Sequence, residues 1–227
     1  MISVYLIDLD NPVLSTRNCF ECLDAAEKAK AIAYRRDCLK RRFVASHFAL
    51  RVILGRVVGK RPSDMEFRAN SWGRPELLGG PFFNISHSEH IGVVAVDPCA
   101  PVGIDVEILD ERYQLDELTS FLSARERSMV EDDHLTPESL TRIWVRKEAL
   151  LKAFGQGLSY PLSDVSVDVG PPDYENWRSV AFSKNTEADQ FELIDLYLTS
   201  NSVAALASAN PHPCVHLREL QFSAWQK

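Results

Sequence analysis

Trp144-Val145-Arg146-Lys147-Glu148-Ala149-Leu150-Leu151-Lys152-Ala153-Phe154 reads as a helix, and Gly103-Ile104-Asp105-Val106-Glu107, about forty residues earlier, reads as part of a strand. On a helix, positions 144, 148 and 152 are successive i, i+4 neighbours, so a ring, a carboxylate and an ammonium share one face with roughly 5–6 Å between adjacent Cβ atoms. On the β-branched stretch Val102 to Ile108, residues two apart share a face at about 6.6–6.8 Å, which points Asp105 and Glu107 the same way. Taken singly, each piece has an ordinary reading. Glu148 and Lys152 would make an exposed helix pair worth about 0.3–0.5 kcal/mol, and an Asp-x-Glu strand is often a solvated face. Taken together, three carboxylates from a strand and a helix suit a hard divalent cation such as Mg²⁺, which prefers oxygen ligands and is completed by water and phosphate. Lys152 would then face the phosphates.

Working outward, Pro81-Phe82-Phe83-Asn84-Ile85-Ser86-His87-Ser88 is a strand that ends in a polar cluster. Ile91 to Val96 continues as an apolar strand, and Cys99-Ala100-Pro101 links it to the Asp-x-Glu strand. Upstream, Ile2 to Leu9 alternates as a first strand, Phe20 to about Ala33 has helical character, and a long helix runs from about Asp37 through Val58 to Gly59. Met65 to Arg68 reads as a short strand, and Asn70-Ser71-Trp72-Gly73-Arg74-Pro75 as a loop. Downstream, Ser123-Ala124-Arg125-Glu126 is a capping box, and Thr136-Pro137 starts a helix through Phe154. Strands follow near Val165 to Val169, Val180 to Ser183, Phe191 to Leu198, Val203 to Ala207 and Val215 to Leu220. Strand, long helix and strands thus recur in the same order. That order predicts an α+β protein of two similar halves, residues 1–99 and 100–227, related by a pseudo-twofold.

Bulk properties narrow the function. A length of 227 residues with 45% hydrophobic content allows one large core or two smaller ones. The net charge of −7 argues against a nucleic-acid binder. No apolar run of membrane-spanning length is present and Met1 to Asp10 does not read as a signal peptide, so a cytoplasmic protein without a membrane or nucleic-acid partner is expected. The cysteines are five in number and scattered, and Cys19-x-x-Cys22 lacks a second pair that would complete a zinc site, so reduced thiols are expected. The acidic total hides a local bias. Between Lys30 and Arg61 ten basic residues face a single acidic one, Asp37. A basic segment on an acidic chain suits an anionic partner, either a polyphosphate or an acidic protein surface.

These motifs resemble the surfactin-type, two-repeat 4'-phosphopantetheinyl transferases. That family carries a Gly-Ile-Asp-x-Glu strand, then a Trp-x-x-Lys-Glu-(Ala/Ser)-x-x-Lys helix and a Gly-x-Gly-Leu turn. Gly103 to Glu107, Trp144 to Lys152 and Gly155-Gln156-Gly157-Leu158 match in order and spacing, and Phe83-Asn84-Ile85-Ser86-His87-Ser88 matches the family's Phe-Asn-Ile-Ser-His-Ser. The resemblance implies transfer of 4'-phosphopantetheine from coenzyme A to a serine of an apo acyl or peptidyl carrier protein, with Mg²⁺ as cofactor, by a monomer with pseudo-dimeric halves. It implies Asp105, Glu107 and Glu148 as metal ligands, Glu148 as third ligand or as general base, and Lys152 as a catalytic, phosphate-facing cation. It implies coenzyme A contacts from Ser86 and His87. Arg42 aligns with a family Arg on the 3'-phosphate, and Arg74 stands where the family's Gly-Lys-Pro loop has Lys. The family's upstream phosphate-binding lysines correspond to Lys28 or Lys30, offset by about two residues from the family spacing to Arg42. By the same resemblance, the segment Asp110 to Leu122 and the adjoining helix lie near the carrier-docking surface. Two other readings of the same residues are a Mg²⁺-dependent phosphohydrolase, which needs no protein acceptor, and a non-catalytic module that binds coenzyme A or an acidic protein.

Overall fold

Period-two alternation along the strands sorts their side chains into separate cores. The computed structural model describes residues 1–109, 120–130, 136–155, 160–181, 190–211 and 213–220. A first sheet holds β1 (Ile2–Asp8), β4 (Phe82–Ser88), β5 (Ile91–Asp97) and β10 (Val215–Glu219) in the order β10-β1-β5-β4. A second holds β6 (Val102–Ile108), β7 (Arg178–Ala181), β8 (Gln190–Leu196) and β9 (Ser202–Ser208) in the order β6-β9-β8-β7. Two-residue strands β2 (Arg68–Ala69) and β3 (Pro75–Glu76) pair by themselves around the Asn70 to Arg74 loop. The helices are α1 (Arg17–Glu21), α2 (Ala25–Ala33), α3 (Asp37–Val58), α4 (Ala124–Val130) and α5 (Pro137–Phe154).

Ile7, Val94 and Val96 join the core beneath α3. Leu193, Val203, Ala205 and Ala207 join the core beneath α5. The opposite faces of both sheets, through Ile2, Val4, Val93, Ile104, Val106 and Leu206, share a third core. The chain is therefore layered helix, sheet, sheet, helix, an α+β arrangement in which each sheet buries both faces. β10 returns from the end of the chain to lie parallel to β1, with Ile2 opposite Val215, and so completes the sheet formed otherwise by residues 2–97.

Three local expectations need correction. The Phe20 to Ala33 helix is two helices, broken where Asp24 caps α2: Glu27 N donates to Asp24 Oδ1 and Asp24 N to Glu27 Oε2, both at 2.9 Å, a capping box that favours a fresh start over continuation. The strand expected at Met65 to Arg68 is reduced to Arg68–Ala69, since Met65 gives its carbonyl to Arg51 Nη1 at 2.8 Å instead of to a neighbouring strand. The strand expected at Val165 to Val169 does not form. Val165 and Val167 are buried, but Val167 N donates to Glu126 Oε1 at 2.8 Å, a side chain doing the work of a ladder.

The long helices agree with their sequence limits. Gly59 ends α3 at φ 70° and Gly155 ends α5 at φ 86°, conformations that favour glycine. Thr136 caps α5 ahead of Pro137. Two charged residues of α5 are buried completely. Arg146 pairs with Asp195 (Nη2 to Oδ2, 2.7 Å) and also donates to carbonyls at 168, 170 and 171. Lys147 pairs with Glu126 at 2.5 Å and donates to the carbonyls of Phe121 and Leu162. Each ion has the extra hydrogen bonds that burial demands.

The helix also lies unusually near the sheet. A Cβ built on Gly103 would stand 2.1 Å from Ala149 O and 2.3 Å from Ala153 N, backbone atoms that have nowhere to go. Small residues on both elements allow this approach, and it sets the depth at which α5 presents Glu148 and Lys152. Gly103→Ala is expected to destabilise the fold by at least about 3 kcal/mol, the upper range of overpacking costs, as read from the urea midpoint. Wild-type stability in that variant would mean that α5 can lift off β6 freely.

Candidate active site

Where the two sheets meet, β4 runs beside β6 and bonds to it through side chains. Asn84 Oδ1 accepts from Ile104 N at 2.9 Å, Ser86 Oγ donates to Asp105 Oδ1 at 2.7 Å, and Ser88 Oγ donates to Glu107 Oε2 at 2.7 Å while accepting from Ile108 N at 3.0 Å. Residues 84, 86 and 88 lie on one face of a strand, so the polar end of the Asn-Ile-Ser-His-Ser run is a seam that orients the Asp-x-Glu carboxylates. From the other side α5 brings Lys152, whose Nζ lies 2.6 Å from Asp105 Oδ1, 3.0 Å from Ser86 Oγ and 3.3 Å from Ile104 O.

A cavity of about 350 Å³ opens over this seam, lined by Ser46 and His47 of α3, Ser86 and His87 of β4, Asp105 and Glu107 of β6, and Trp144, Glu148 and Lys152 of α5. The spacing read from the sequence is thus realised: 144, 148 and 152 face the cavity together, and 105 and 107 share a face opposite them. Trp144 is steadied edge-on by Phe121, ring centroids 5.2 Å apart.

The electrostatics divide the cavity. Burial raises the proton affinity of Glu148 above the usual carboxylate range, and the charges of Asp105 and Glu107 add to this while Lys152 opposes it. Glu107 is likewise raised, by burial and by Asp105, against a hydrogen bond from Ser88 and the charge of Lys152. On the cationic side, His87 reaches solvent, yet the protein around its base and the ammonium of Lys152 hold it below the ordinary imidazole value, with His47 contributing.

Two carboxylate oxygens, Asp105 Oδ2 and Glu148 Oε1, are buried without a hydrogen-bond partner among the described residues. Buried acceptors are rarely left unpaired, and a set of oxygen donors on converging carboxylates is what a hard cation requires. The residues present therefore suit Mg²⁺, although among the described residues no three acidic, His or Cys side chains are drawn to ligand spacing, Lys152 holding one Asp105 oxygen.

The other expected contacts fall elsewhere. Arg42 closes on Asp10 (Nη2 to Oδ2, 2.8 Å) and on Glu89 (Nη1 to Oε2, 2.5 Å) and does not line the cavity. Arg74 gives Nη2 to the carbonyls of Phe83 and Val102, at 2.9 and 3.0 Å, and Nη1 to those of Lys152 and Ala153. Its fork thus fastens β4, β6 and the end of α5. Lys28 donates to Glu21, whereas Lys30 lies 5.3 Å over the Phe43 ring, beside His47. Asp110 to Thr119 and Gln156 to Ser159 lie outside the described residues, and with them most of the expected docking segment and of the Gly-x-Gly-Leu turn. His47 was not anticipated. Its place in a basic segment, one turn and a half beyond Arg42, was the available signal.

Residues 101–207 match the 4'-phosphopantetheinyl transferase superfamily. Over 217 residues the chain is 30% identical to the 4'-phosphopantetheinyl transferase HetI of Nostoc sp., an alignment covering 92% of this chain and 87% of that protein. It is 28% identical over 174 residues to the 4'-phosphopantetheinyl transferase Sfp of Bacillus subtilis, covering 73% of this chain and 76% of that one. The chain belongs to the 4'-phosphopantetheinyl transferase superfamily. No helix among the described residues is long and apolar enough to cross a membrane.

The raised proton affinity of Glu148 has a sign that can be tested without turnover. A carboxyl group raised in the folded state binds its proton more tightly there than in the unfolded chain, so stability falls as pH rises from its unfolded value near 4.5 through the folded one. Glu148→Gln is expected to raise the melting temperature at pH 7 in the presence of a chelator, with the gain shrinking as pH falls below 4.5. A variant less stable than wild type at pH 7 would contradict this.

Proposed function

We propose that this transferase moves the 4'-phosphopantetheine of coenzyme A onto a serine hydroxyl of an apo acyl or peptidyl carrier protein, releasing adenosine 3',5'-bisphosphate. The observation that carries the reading is the cavity itself: three carboxylates from β6 and α5, the Lys152 ammonium 2.6 Å from Asp105, and the His87 and His47 rings line one space. A dianionic diphosphate meeting a cation at the carboxylates, the Lys152 ammonium and imidazole hydrogen-bond donors fits that lining.

In this reading Asp105 and Glu107 hold Mg²⁺, with Glu148 beside them. Held there, the cation would supply neutralisation of the diphosphate charge. Ser86 and Ser88 keep Asp105 and Glu107 aimed at the cavity. Lys152 balances Asp105 and stands ready to meet phosphate oxygen, and Ser86 and His87 contact the phosphates. Serine oxygen bonds to the phosphorus that bears pantetheine, the bond from that phosphorus to the bridging oxygen breaks, and the electron pair departs with the nucleotide. The serine proton needs an acceptor, and Glu148, with its raised affinity for protons and an unpaired oxygen, can take it. A carboxylate engaged with a cation is a weaker base, so its two roles compete. Arg42 and Arg74 are assigned to holding the fold around the cavity. The first half, 1–99, supplies the phosphate contacts and the second, 100–227, the carboxylates. We read these halves, each a long helix on a sheet, the first sheet completed by β10 from the end of the chain, as repeats about a pseudo-twofold.

Intact-mass measurement of apo acyl and apo peptidyl carrier proteins, incubated with the protein, coenzyme A and Mg²⁺, tests the reading. A gain of one phosphopantetheine on either carrier is expected, lost with chelator and reduced at least about a thousandfold in rate by Asp105→Ala, the scale on which fixed charge stabilisation is lost. Diphosphate cleavage without carrier modification would favour a phosphohydrolase. Glu148→Gln separates its two roles: a fall in kcat at unchanged Mg²⁺ requirement marks the base, and a raised Mg²⁺ requirement marks the ligand.

A further inference from the structure

Arg74 reaches from the first half to the end of α5, and what it meets there is backbone. An α-helix leaves its last four carbonyls without intrahelical partners. In α5 these belong to Leu151, Lys152, Ala153 and Phe154. Gly155 N donates to the first of them at 3.0 Å, closing a left-handed turn at φ 86°. Arg74 Nη1 donates to the next two, closely to Lys152 O and more weakly to Ala153 O at 3.4 Å. A cation at this end of a helix is also favoured by the helix dipole. The guanidinium is thus a cap on the last turn of α5, supplied from 78 residues away in the chain.

The same fork joins that turn to both sheets. Nη2 donates to Phe83 O of β4 at 2.9 Å and to Val102 O of β6 at 3.0 Å. Three residues farther along each strand, about 10 Å, stand Ser86 and Asp105, on which the Lys152 ammonium rests at 3.0 and 2.6 Å. Arg74 and the Lys152 side chain therefore tie together the same three backbones, Arg74 doing so through the carbonyl of Lys152 itself. Carbonyls drawn from three elements need donors spread across a plane. A guanidinium presents five in a rigid fork, whereas an ammonium, the group carried by the family's loop, is a compact point charge. The loop that aims the fork is preset. Asn70 Oδ1 accepts from Trp72 N at 2.9 Å and from Arg74 N at 3.0 Å, and Gly73 turns the chain at φ 82°.

We infer that Arg74 is a positioning residue for the transfer, acting through Lys152: by capping the end of α5 it fixes the backbone from which the ammonium is held over Ser86 and Asp105. The inference deepens the proposed function and rests on it for the reaction that Lys152 serves. Asn70 acts one step further back, by holding Arg74.

Hydrogen exchange read by mass spectrometry tests the cap without turnover. In Arg74→Ala, amides at the end of α5 are expected to exchange at least about tenfold faster, while those of α3 and of the start of α5 keep their wild-type rates. Unchanged protection at the end of α5, or a loss spread evenly over the molecule, overturns the inference. Transfer from coenzyme A to an apo carrier protein tests the action through Lys152, in a cycle of Arg74→Ala, Lys152→Ala and the double variant. Arg74→Ala is expected to lose about a hundredfold in kcat, the scale of an ångström's misplacement, with KM for coenzyme A within about twofold of wild type. In the Lys152→Ala background the same change is expected to cost nothing more, because the group it positions is gone. A further loss in that background would mean that Arg74 acts elsewhere, and a raised KM at unchanged kcat would mean that it meets the substrate; either overturns the inference. Arg74→Lys restores the charge without the fork and is expected to stay within about threefold of Arg74→Ala in kcat, and recovery to the wild-type value overturns the cap. The lysine variant also carries the cycle should Arg74→Ala fail to fold. Absence of transfer by wild type beside a deprotected helix end in the variant would sink the proposed reaction and leave the cap standing.

Discussion

The approach of α5 onto the bare backbone of Gly103 governs how that helix sits on its sheet. With a Cβ at that position 2.1 Å from Ala149 O, any side chain would force the helix away from β6. Every distance in the cavity depends on that contact. Glu148 and Lys152 project from the turns of α5 on either side of Ala149, and Asp105 and Glu107 project from the same strand face as Gly103. Bringing the two backbones together brings three carboxylates and an ammonium together as well. The arrangement is costly in isolation, since burial and mutual repulsion raise Glu107 and Glu148 and leave Asp105 Oδ2 and Glu148 Oε1 without partners. Buried hydrogen-bonded ions elsewhere hold the elements at fixed depth against this strain. Arg146 ties α5 to β8 through Asp195, and Lys147 ties it to α4 through Glu126.

A second dependence runs across the seam between the sheets. β4 presents Asn84, Ser86 and Ser88 to β6, and these short polar side chains satisfy backbone N–H groups and carboxylates alike. The halves are therefore joined by groups that also orient the site. Arg74 adds a clasp at the same junction, with carbonyls of β4, β6 and α5 converging on one half-buried guanidinium. An arginine in a polar loop looks from sequence like a surface charge, and nothing local reveals that four carbonyls surround it. The same holds for Arg42, whose partners Asp10 and Glu89 lie 32 and 47 residues away in the chain.

Much of the fold was legible because local signals agreed with the tertiary outcome. Glycine at 59 and 155 and proline at 137 bound the two long helices, and β-branched residues mark β1, β5 and β6. The misreadings share one cause. Asp24 starts a new helix through its capping box, Met65 surrenders its carbonyl to Arg51, and Val167 finds Glu126 in place of a strand neighbour. In each case a side chain from another element took a backbone group that periodicity alone would have left to regular structure.

Of the site, the sequence by itself determined the membership of its carboxylate side and its lysine, because i, i+4 on a helix and i, i+2 on a strand are fixed by backbone geometry wherever the elements end up. The family motifs added Ser86 and His87 on the same footing. Only the tertiary structure decided which of the many basic residues between Lys30 and Arg61 face the cavity. Charge on a helix says nothing of its partner, and long-range pairing with Asp10, Glu89, Glu27 and the carbonyls of other elements neutralised some of these groups and aimed one, His47, inward. That selection rests on contacts between residues far apart in the chain, which no local spacing encodes.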